Sequence, residues 1–354
     1  TIDTTAPQMS SAVYDGDTVT ITYSEPLDSA PEVGDFTVTL DNDSPVPVNT
    51  VSLGTGGDAD KVTLTLDSAI AADRTIKSIE YSQTEGVSDS VKDLAGNAAT
   101  DQTLSNTDIS DNTAPTITTV GIDSATGVQN SLLNAGDVVT VKVDFSEPVN
   151  VDTTSGTPEI DLLIGSTTVQ ASYNSVNSTA TSLVFDYTIQ AGDGPDTDGI
   201  SLPADGISLN SGTIQDGAGN DATLTFSVVS DNGSFKVDTS APAAPTIELA
   251  ADTGSVGDDG VTSDDTINVT DLEANAAWEY SVDGGTTYTS GSGTSFTVSD
   301  GTYANGDILV RQIDEAGNAS SDAQLGSSVT IDTTAPQMSS AVYDGDTVTI
   351  TYSE

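Results

Sequence analysis

Cysteine and histidine are absent from the 354 residues, and lysine and arginine together number only 7, against 55 aspartates and glutamates. Without cysteine there is no disulfide framework and no thiol nucleophile, and without histidine there is no Ser-His-Asp triad. The usual zinc ligands are missing as well. The formal charge of -48 repels phosphate, which excludes nucleic acids and anionic membranes as partners. The remaining ligand chemistry is carboxylate oxygen, which suits calcium.

Long apolar runs are also missing. The longest stretches are a few residues, such as Leu162-Leu163-Ile164, far too short to span a membrane. Hydrophobic residues nevertheless make up 35% of the chain and alternate with polar ones, which argues against disorder. The length is that of roughly two to four folded domains. Because the chain opens at Thr1, without an initiator methionine or a signal peptide, we expect it to be part of a larger protein.

One internal repeat organises the sequence. Residues 330–354 are identical to residues 1–25, so the chain contains one period of 329 residues and the beginning of the next. Chance does not produce an identity of this length. The sequence therefore predicts a parent protein that repeats this unit in tandem.

Two shorter motifs divide the period into domains. Asp-x-Thr/Ser-Ala-Pro begins at Asp3, Asp111, Asp238 and Asp332, and Asp-x-Ala-Gly-Asn begins at Asp93, Asp216 and Asp314. The distance from each second motif to the next first motif is nearly constant, whereas the interiors differ in length. Homologous domains with different loops have this organisation. We predict domains at 1–110, 111–237 and 238–331, with 332–354 forming the first strands of the next repeat.

The segments between the motifs are typical of β-strands. Apolar and polar residues alternate with a period of two in Thr18–Tyr23, Phe36–Leu40, Val62–Leu66, Val138–Phe145 and Trp278–Val282. Such alternation buries one face of a strand, and Gly, Asp, Asn and Ser mark turns between the strands. The predicted fold class is all-β, with tandem Ig-like antiparallel β-sandwich domains arranged end to end as a rod.

The units resemble known bacterial repeats. The first, with GDTVTITYSEPLD and VKDLAGNAAT, resembles the SwmB-like repeats of large bacterial surface proteins. The second, with DFSEPV and DGAGN, is similar to related Ig-like repeats. The third, with APTIELAADTGSVGDDGVTSDD and DGTYANGDILVRQIDEAGNASS, resembles the bacterial Ig-like repeats of giant RTX-type adhesins and biofilm-associated proteins. The resemblance implies Ig-like sandwiches in a secreted or surface-anchored bacterial protein.

Carboxylates recur where an Ig-type strand order brings loops to the same end of a sandwich. These places are the linker into the unit, the loop after the second strand and the turn before the last strand. The candidates are Asp3, Glu25 and Asp93; Asp111, Glu147 and Asp216; Asp238, Glu273 and Asp314; and Asp332 and Glu354. Carboxylates packed this closely repel one another without a cation, and calcium accepts about six to eight oxygens. We predict a calcium ion that stiffens each domain junction.

The same motifs also have purely structural interpretations. Asp before Thr-Ala-Pro can form an Asx turn, Asp-x-Ala-Gly-Asn is a tight-turn sequence, and Glu before Pro can be a solvated loop residue. An acidic run containing Asp252 and Asp258 follows the first strand of the third unit. It is either a further calcium site or a solvated loop.

Together these features predict a non-enzymatic extender segment of a very long adhesin or extracellular fibre, with structural calcium and with neighbouring repeats and self-association as its partner contacts. One alternative is a sheath or filament protein that self-assembles by strand exchange. A second is a glycan-binding module, although the strand position of Trp278 favours a core role. A third makes the charge a halophile's solubility device. Glycosidase chemistry is disfavoured because every unit carries the same motifs and none supplies a large cleft.

Overall fold

A computed structural model describes residues 2–29, 31–71, 74–83, 90–257 and 259–353. The described residues contain β-strands and short 3-10 turns, but no α-helix. Buried side chains form separate hydrophobic cores in the first, second and third units. The prediction of an all-β chain of tandem β-sandwiches is therefore confirmed.

The first unit builds its core from alternating strands. Val19 and Ile21 are fully buried and Tyr23 is 2% exposed, while the threonines between them face outward. The strands are β1 (Met9–Asp15), β2 (Thr18–Tyr23), β3 (Leu27–Ser29), β4 (Phe36–Leu40), β5 (Pro45–Val46), β6 (Val48–Leu53), β7 (Lys61–Leu66), β8 (Ile76–Tyr81), β9 (Lys92–Asp93), β10 (Gln102–Ser105) and β11 (Ile109–Asp111). The 3-10 turns are Val33–Asp35, Gly56–Asp58 and Asn106–Asp108. One sheet has the order β11-β1-β2-β7-β6 and the facing sheet the order β10-β8-β4-β5, while β3 pairs with β9.

The second unit centres on a six-stranded sheet. Its strands are β12 (Ile117–Thr126), β13 (Leu132–Leu133), β14 (Val138–Phe145), β15 (Asn150–Asp152), β16 (Glu159–Ile164), β17 (Thr167–Tyr173), β18 (Ser182–Thr188), β19 (Ile207–Ser208), β20 (Thr213–Gln215) and β21 (Lys236–Val237). The sheet order is β12-β14-β18-β17-β16-β19, and the short strands pair as β13-β21 and β15-β20. Val139, Val141 and Val143 of β14 are fully buried, as their alternation predicts.

The third unit has the smallest of the three hydrophobic cores. Its strands are β22 (Thr246–Leu249), β23 (Val261–Thr262), β24 (Thr266–Thr270), β25 (Ala277–Ser281), β26 (Thr289–Ser290), β27 (Ser295–Thr297), β28 (Gly301–Tyr303), β29 (Leu309–Ile313), β30 (Ala323–Gln324) and β31 (Val329–Ile331). The sheet orders are β22-β24-β27, β23-β31-β28 and β26-β25-β29-β30. Trp278 is 5% exposed and packs beside Tyr280 and Phe296, so its core role is confirmed.

The remaining strands, β32 (Met338–Asp344) and β33 (Thr347–Tyr352), form a hairpin that copies β1 and β2. Its register is the same, but the apolar face that is buried in the first unit is open here. Tyr343 is 72% exposed, whereas its copy Tyr14 is 3% exposed. The hairpin therefore has the local structure of a first unit without its core.

A parallel pairing at the end of every unit sets where the next linker begins. Tyr14 of β1 pairs with Asp111, Leu133 pairs with Val237, and Thr262 pairs with Ile331. In the first unit the last strand, β11, pairs with the first strand, β1. In the second and third units the last strand pairs with a short strand that follows the first one, as β21 with β13 and β31 with β23. Because the last strand is held in this way, the position of the linker aspartate at its end is fixed relative to the unit.

Candidate metal centres

The first candidate centre combines Asp3, Glu25 and Asp93. Asp3 lies on the linker before β1, Glu25 follows β2 by two residues, and Asp93 ends β9. One carboxylate oxygen from each lies within 4.8 Å of the other two. The linker and two strand ends therefore bring three carboxylates together.

The second centre repeats this arrangement with Asp111, Glu147 and Asp216. Asp111 ends β11, Glu147 follows β14 by two residues, and Asp216 follows β20 directly. Their oxygens also lie within 4.8 Å of one another. Glu147 is 6% exposed and Asp216 is 7% exposed, so this centre is more enclosed than the first, where Asp3 is exposed.

The Asp-x-Ala-Gly-Asn motif folds as a turn capped by its own aspartate. Oδ1 of Asp216 accepts hydrogen bonds from the backbone N–H groups of Ala218, Gly219 and Asn220 at 2.7–2.8 Å. Asn220 Nδ2 donates to the other carboxylate oxygen at 2.7 Å. Asp93 and Asp314 cap their turns in the same way. The turn interpretation is therefore a correct description of the local structure, and it fixes the direction of the carboxylate.

The last residue of this motif also connects the turn to the linker. Asn220 Nδ2 lies 3.2 Å from the backbone carbonyl of Asp111 and 3.3 Å from that of Thr113. Asn318 Nδ2 donates to the carbonyl of Asp238 at 2.8 Å. These asparagines are not among the predicted ligands, although they recur at the last position of the motif.

The linker aspartates form the Asx turns that the structural interpretation expects. Oδ1 of Asp3 accepts from Thr5 N–H at 3.0 Å, and Oδ1 of Asp111 accepts from Thr113 N–H at 2.9 Å. An Asx turn engages one carboxylate oxygen and is compatible with a cation on the other. Turn formation and metal binding are therefore not exclusive at these positions.

The crowding of negative charge shows in the titration of the glutamates. Burial, and then the charges of Asp111 and Asp216, raise the pKa of Glu147 to about 7. Desolvation, and then Asp3 and Asp93, raise the pKa of Glu25. Burial opposes ionisation of Asp93 too, but hydrogen bonds from Asn97 and its turn outweigh it and lower that pKa. In each centre the glutamate is therefore the carboxylate whose ionisation is disfavoured by burial and by its charged neighbours.

Tyr14 of the first unit adds a hydroxyl to the second centre. Its backbone carbonyl accepts from Asn112 N–H at 2.9 Å. Its hydroxyl is buried and makes no hydrogen bond in the structure. Burial, followed by Asp111 and then by Glu147 and Asp216, raises its pKa. The phenol is neutral, so it can donate to a carboxylate of the centre or offer a lone pair to a cation.

A cleft of about 680 Å³ lies where the first and second units meet. Tyr14, Ile76 and Ile109 line it from the first unit, and Glu147 and Asp216 line it from the second. The second centre is therefore open to ions and water from this side.

The third predicted triplet does not form. Asp238, Glu273 and Asp314 are described, yet they are not among the groups whose oxygens approach within 4.8 Å. The predicted ligand Glu273 lies one residue beyond the position that Glu25 and Glu147 occupy in their units. That position, two residues after β24, is Leu272, which packs against the core. Glu273 follows it and is exposed.

Hydrogen bonds at the same strand ends support this register. Thr116 N–H donates to Ser146 Oγ at 3.0 Å beside Glu147. In the third unit Thr246 Oγ1 donates to Asp271 Oδ2 at 2.6 Å, so Asp271 stands where the serine stands. The fully buried Gln312 then bonds the backbone of Glu273, Ala243 and Asp271. A neutral amide therefore connects the end of β24 to the linker in the third unit.

The other predicted ligands are only partly described. Asp252 Oδ2 accepts from Gly260 N–H at 3.0 Å, and its Oδ1 is buried without a partner. Asp258 and Glu354 lie outside the described residues, so the acidic run and the fourth centre stay predictions. Asp332 is exposed and caps an Asx turn with Thr334.

A family match covers the beginning of the chain. The model of the SWM repeat, described as a "Putative flagellar system-associated repeat", matches residues 2–86. This agrees with the SwmB-like resemblance of the first unit, and the resemblance of the third unit to RTX-type adhesins stays an expectation. No curated protein matches the chain significantly. The long internal repeat, the sandwich units and this match define a repeat-containing structural protein.

Several solved structures are similar in fold. The S-layer protein rSbsC(31-844) is 13% identical, with 99% of this chain and 46% of that one covered and a TM-score of 0.25. The chicken CNTN1 FN1-FN3 domains are 10% identical, covering 92% and 98% with a TM-score of 0.29. The fibronectin(III)-like modules of Clostridium thermocellum CbhA are 15% identical, covering 60% and 94% with a TM-score of 0.26. These scores are too low to indicate function, and the chain spans less than half of the S-layer structures.

No helix among the described residues is long and apolar enough to cross a membrane.

Proposed function

We propose that this chain is an extender of a repetitive extracellular surface protein, in which calcium stiffens the linkers at the centres of the first and second units. The observation that carries the proposal is the recurrence of the carboxylate cluster. Two sets of carboxylates occupy equivalent motif positions, and the oxygens of each set converge within 4.8 Å: Asp3, Glu25 and Asp93 in one unit, and Asp111, Glu147 and Asp216 in the next. One unit with such a cluster could be incidental, whereas its repetition in a second unit favours a common ligand.

The charge and donor type of the centres favour calcium. Three carboxylates at this separation carry a repulsion that a divalent cation removes. Calcium takes oxygen ligands in irregular geometry, including backbone carbonyls and water, which suits a centre made of loops. Magnesium demands a stricter octahedron and retains more of its water. The cleft beside the second centre leaves room for the water ligands that three carboxylates do not replace.

The positions of the ligands support a mechanical role. Asp111 belongs to the last strand of the first unit, where it pairs with Tyr14. Glu147 and Asp216 belong to the body of the second unit. A cation shared by all three would connect the two units through short bonds and reduce the bending of the linker. In a repeat array such nearest-neighbour terms determine the stiffness of the whole.

The extracellular location is proposed from the same chemistry. Weak calcium sites with dissociation constants of about 10⁻⁴–10⁻³ M are typical of extracellular modules, where calcium is abundant. The absence of cysteine and the net charge of -48 are compatible with a long soluble rod exposed to the medium. The glycan-binding alternative loses its main candidate, because Trp278 is buried.

Small-angle scattering of the intact chain tests the proposal. When calcium replaces chelator at constant ionic strength, the maximum dimension of the chain should increase. The range of overall dimensions in the ensemble should become narrower. The double variant Asp93→Asn/Asp216→Asn should respond little to calcium. Asp314→Asn is the matched control, since it alters the same turn position in a unit whose described carboxylates form no cluster. The scattering curve of this variant should change between chelator and calcium by as much as that of the unaltered chain. An identical scattering curve in calcium and chelator would contradict the proposal.

A further inference from the structure

We propose that the joint between the second and third units is a permanent clasp that needs no cation. In this clasp the 129–134 loop of the second unit holds the 314–318 turn of the third. The inference goes beyond the calcium role proposed for the first two centres and does not depend on it. It assigns different mechanical behaviour to two successive joints of the same chain.

Two side-chain amides make the contact. Asn130 Nδ2 donates to the backbone carbonyl of Glu315 at 2.9 Å, and Asn134 Nδ2 donates to that of Ala316 at 2.8 Å. Ala316 is 1% exposed, so the turn is covered at its centre. The bonds join units whose contacting residues are more than 180 positions apart. They are therefore bonds between units and not turn bonds within one loop.

The glycine of the turn shows how closely the loop approaches. Gly317 has a φ of +91°, and a Cβ there would lie 3.0 Å from Asn134 Nδ2 and closer still to the Gln129 amide. The equivalent glycines, Gly96 and Gly219, have φ of +89° and +95° and no atom within 4 Å of such a Cβ. Of the two turns that have a preceding unit in this chain, those of Gly219 and Gly317, only the one in the third unit is covered by that unit.

Loop length explains the difference between the two joints. In the first unit β1 ends at Asp15 and β2 begins at Thr18, a tight turn that leaves the cleft open beside the second centre. In the second unit β12 ends at Thr126 and β14 begins at Val138, and the intervening loop reaches the next unit. The longer loop bonds the turn of the next unit, whereas the equivalent turn at the first joint lines a cleft.

The loop is held in shape before it meets the third unit. Gln129 and Leu132 exchange backbone hydrogen bonds at 2.7–2.9 Å, which closes a tight turn with Asn130 at its tip. The φ of Asn130 is +52°, a conformation that asparagine tolerates better than most residues. Asn134 N–H donates to Asp137 Oδ2 at 2.8 Å, and Leu132–Leu133 pairs with Lys236–Val237. The donors therefore face the third unit on a rigid support.

The chemistry of the contact makes it independent of calcium. Its donors are neutral amides and its acceptors are backbone carbonyls, none of which titrates or repels its neighbours. Among the described residues, Asp238, Glu273 and Asp314 form no carboxylate cluster, because Leu272 stands where Glu147 stands in the second unit. A cation has no role at this joint, and the amides supply the connection instead.

Spin labels measure the two joints separately, because the chain has no native cysteine. Cysteines at the exposed positions Thr37 and Thr168 span the first joint, and cysteines at Thr168 and Thr297 span the second. In the intact chain the Thr168–Thr297 distance distribution should be narrow and identical in calcium and chelator. Asn130→Asp/Asn134→Asp should broaden it, because each carboxylate would then face a carbonyl oxygen.

Two matched controls separate the clasp from unrelated effects. Gly317→Ala adds a side chain at positive φ that also collides with the loop, so it should broaden the second distribution. Gly219→Ala has the same local strain without the collision and should leave that distribution narrow. Asn42→Asp/Asn177→Asp adds the same charge at exposed sites and should also leave it unchanged.

The outcomes distinguish this inference from the proposed function. Three results for the Thr168–Thr297 distance distribution would overturn the clasp. The distribution could be broad in the intact chain, it could narrow on adding calcium, or it could be the same in the Asn130/Asn134 variant as in the intact chain. A different result separates the two proposals. If calcium leaves the Thr37–Thr168 distance distribution unchanged, while the Thr168–Thr297 distribution is narrow and is broadened by the Asn130/Asn134 variant, the calcium proposal is refuted and the clasp is supported.

Discussion

At the scale of single residues, the molecule uses aspartate for two purposes at once. Asp216 caps its own turn through three backbone N–H groups, and its position beside Glu147 creates a strongly negative centre. The turn holds the carboxylate in place whether or not a cation is present. The energetic cost therefore falls on the neighbouring glutamate, whose pKa rises to about 7.

This raised pKa predicts a pH dependence in the absence of calcium. The folded chain binds a proton at Glu147 more tightly than the unfolded chain, whose glutamate pKa is near 4.5. Between about pH 4.5 and 7 the second unit should therefore lose stability as the pH rises. We expect a change on the order of 1 kcal/mol, because solvent screens part of the repulsion. Calorimetry in chelator at pH 5.5 and 8 measures it.

Glu147→Gln is the variant that checks this assignment. It should abolish the pH dependence of the second unit's transition and raise its melting temperature at pH 8. Equal pH dependence in the variant and the unaltered chain would show that another group is responsible.

At the scale of elements, the register of a strand end decides whether a centre exists. β2 and β14 are each followed by serine and then glutamate, which places Glu25 and Glu147 beside the other two carboxylates. β24 is followed by Asp271 and then Leu272, so the equivalent side chain enters the core. A shift of one residue reverses the direction of a side chain in an extended segment.

The register predicts unequal effects of two similar substitutions on calcium binding. Glu147→Gln should weaken calcium binding at one centre by at least about tenfold, because a charged oxygen ligand is lost. Glu273→Gln should change neither stoichiometry nor affinity, because Glu273 belongs to no cluster. Isothermal titration of each variant distinguishes them, and a loss of binding in Glu273→Gln would contradict the register.

At the scale of the whole molecule, the hairpin of residues 338–352 repeats the first two strands of the first unit. β32 and β33 keep the register of β1 and β2, but Tyr343 and Tyr352 are exposed where Tyr14 and Tyr23 are buried. In the first unit, β7 and β11 pair with this hairpin and the facing sheet covers it. In the first unit, the segments that cover β1 and β2 therefore lie within residues 26–110.

Adding a copy of residues 26–110 after Glu354 should complete the hairpin. Hydrogen exchange of the amides in 338–352 should then slow to the rates of their identical copies in 9–23, because burial protects them from solvent. A copy in which the fully buried Val62 and Leu64 are replaced by Asp is the control and should give no protection. Unchanged exchange after adding the intact copy would contradict the prediction.

The sequence by itself determined the repeat and the strand content, and it showed that the candidate ligand atoms are carboxylate oxygens. Alternation placed β2, β4 and β14 at the observed residues, because a period of two is a local property of the chain. The recurrence of Asp, Glu and Asp at strand ends selected two carboxylate groups that the structure brings together. The same motifs predict the domain boundaries, which stay a prediction.

Only the tertiary structure decided which joints differ and why. The packing of Leu272 in place of a glutamate, the bonds of Gln312, the unpartnered hydroxyl of Tyr14 and the contact of Asn134 with Ala316 join residues far apart in sequence. Such contacts depend on loop length and on the direction of each strand end, which composition and spacing do not specify. Closely related motifs therefore produce one joint with a carboxylate centre and one held by neutral amides.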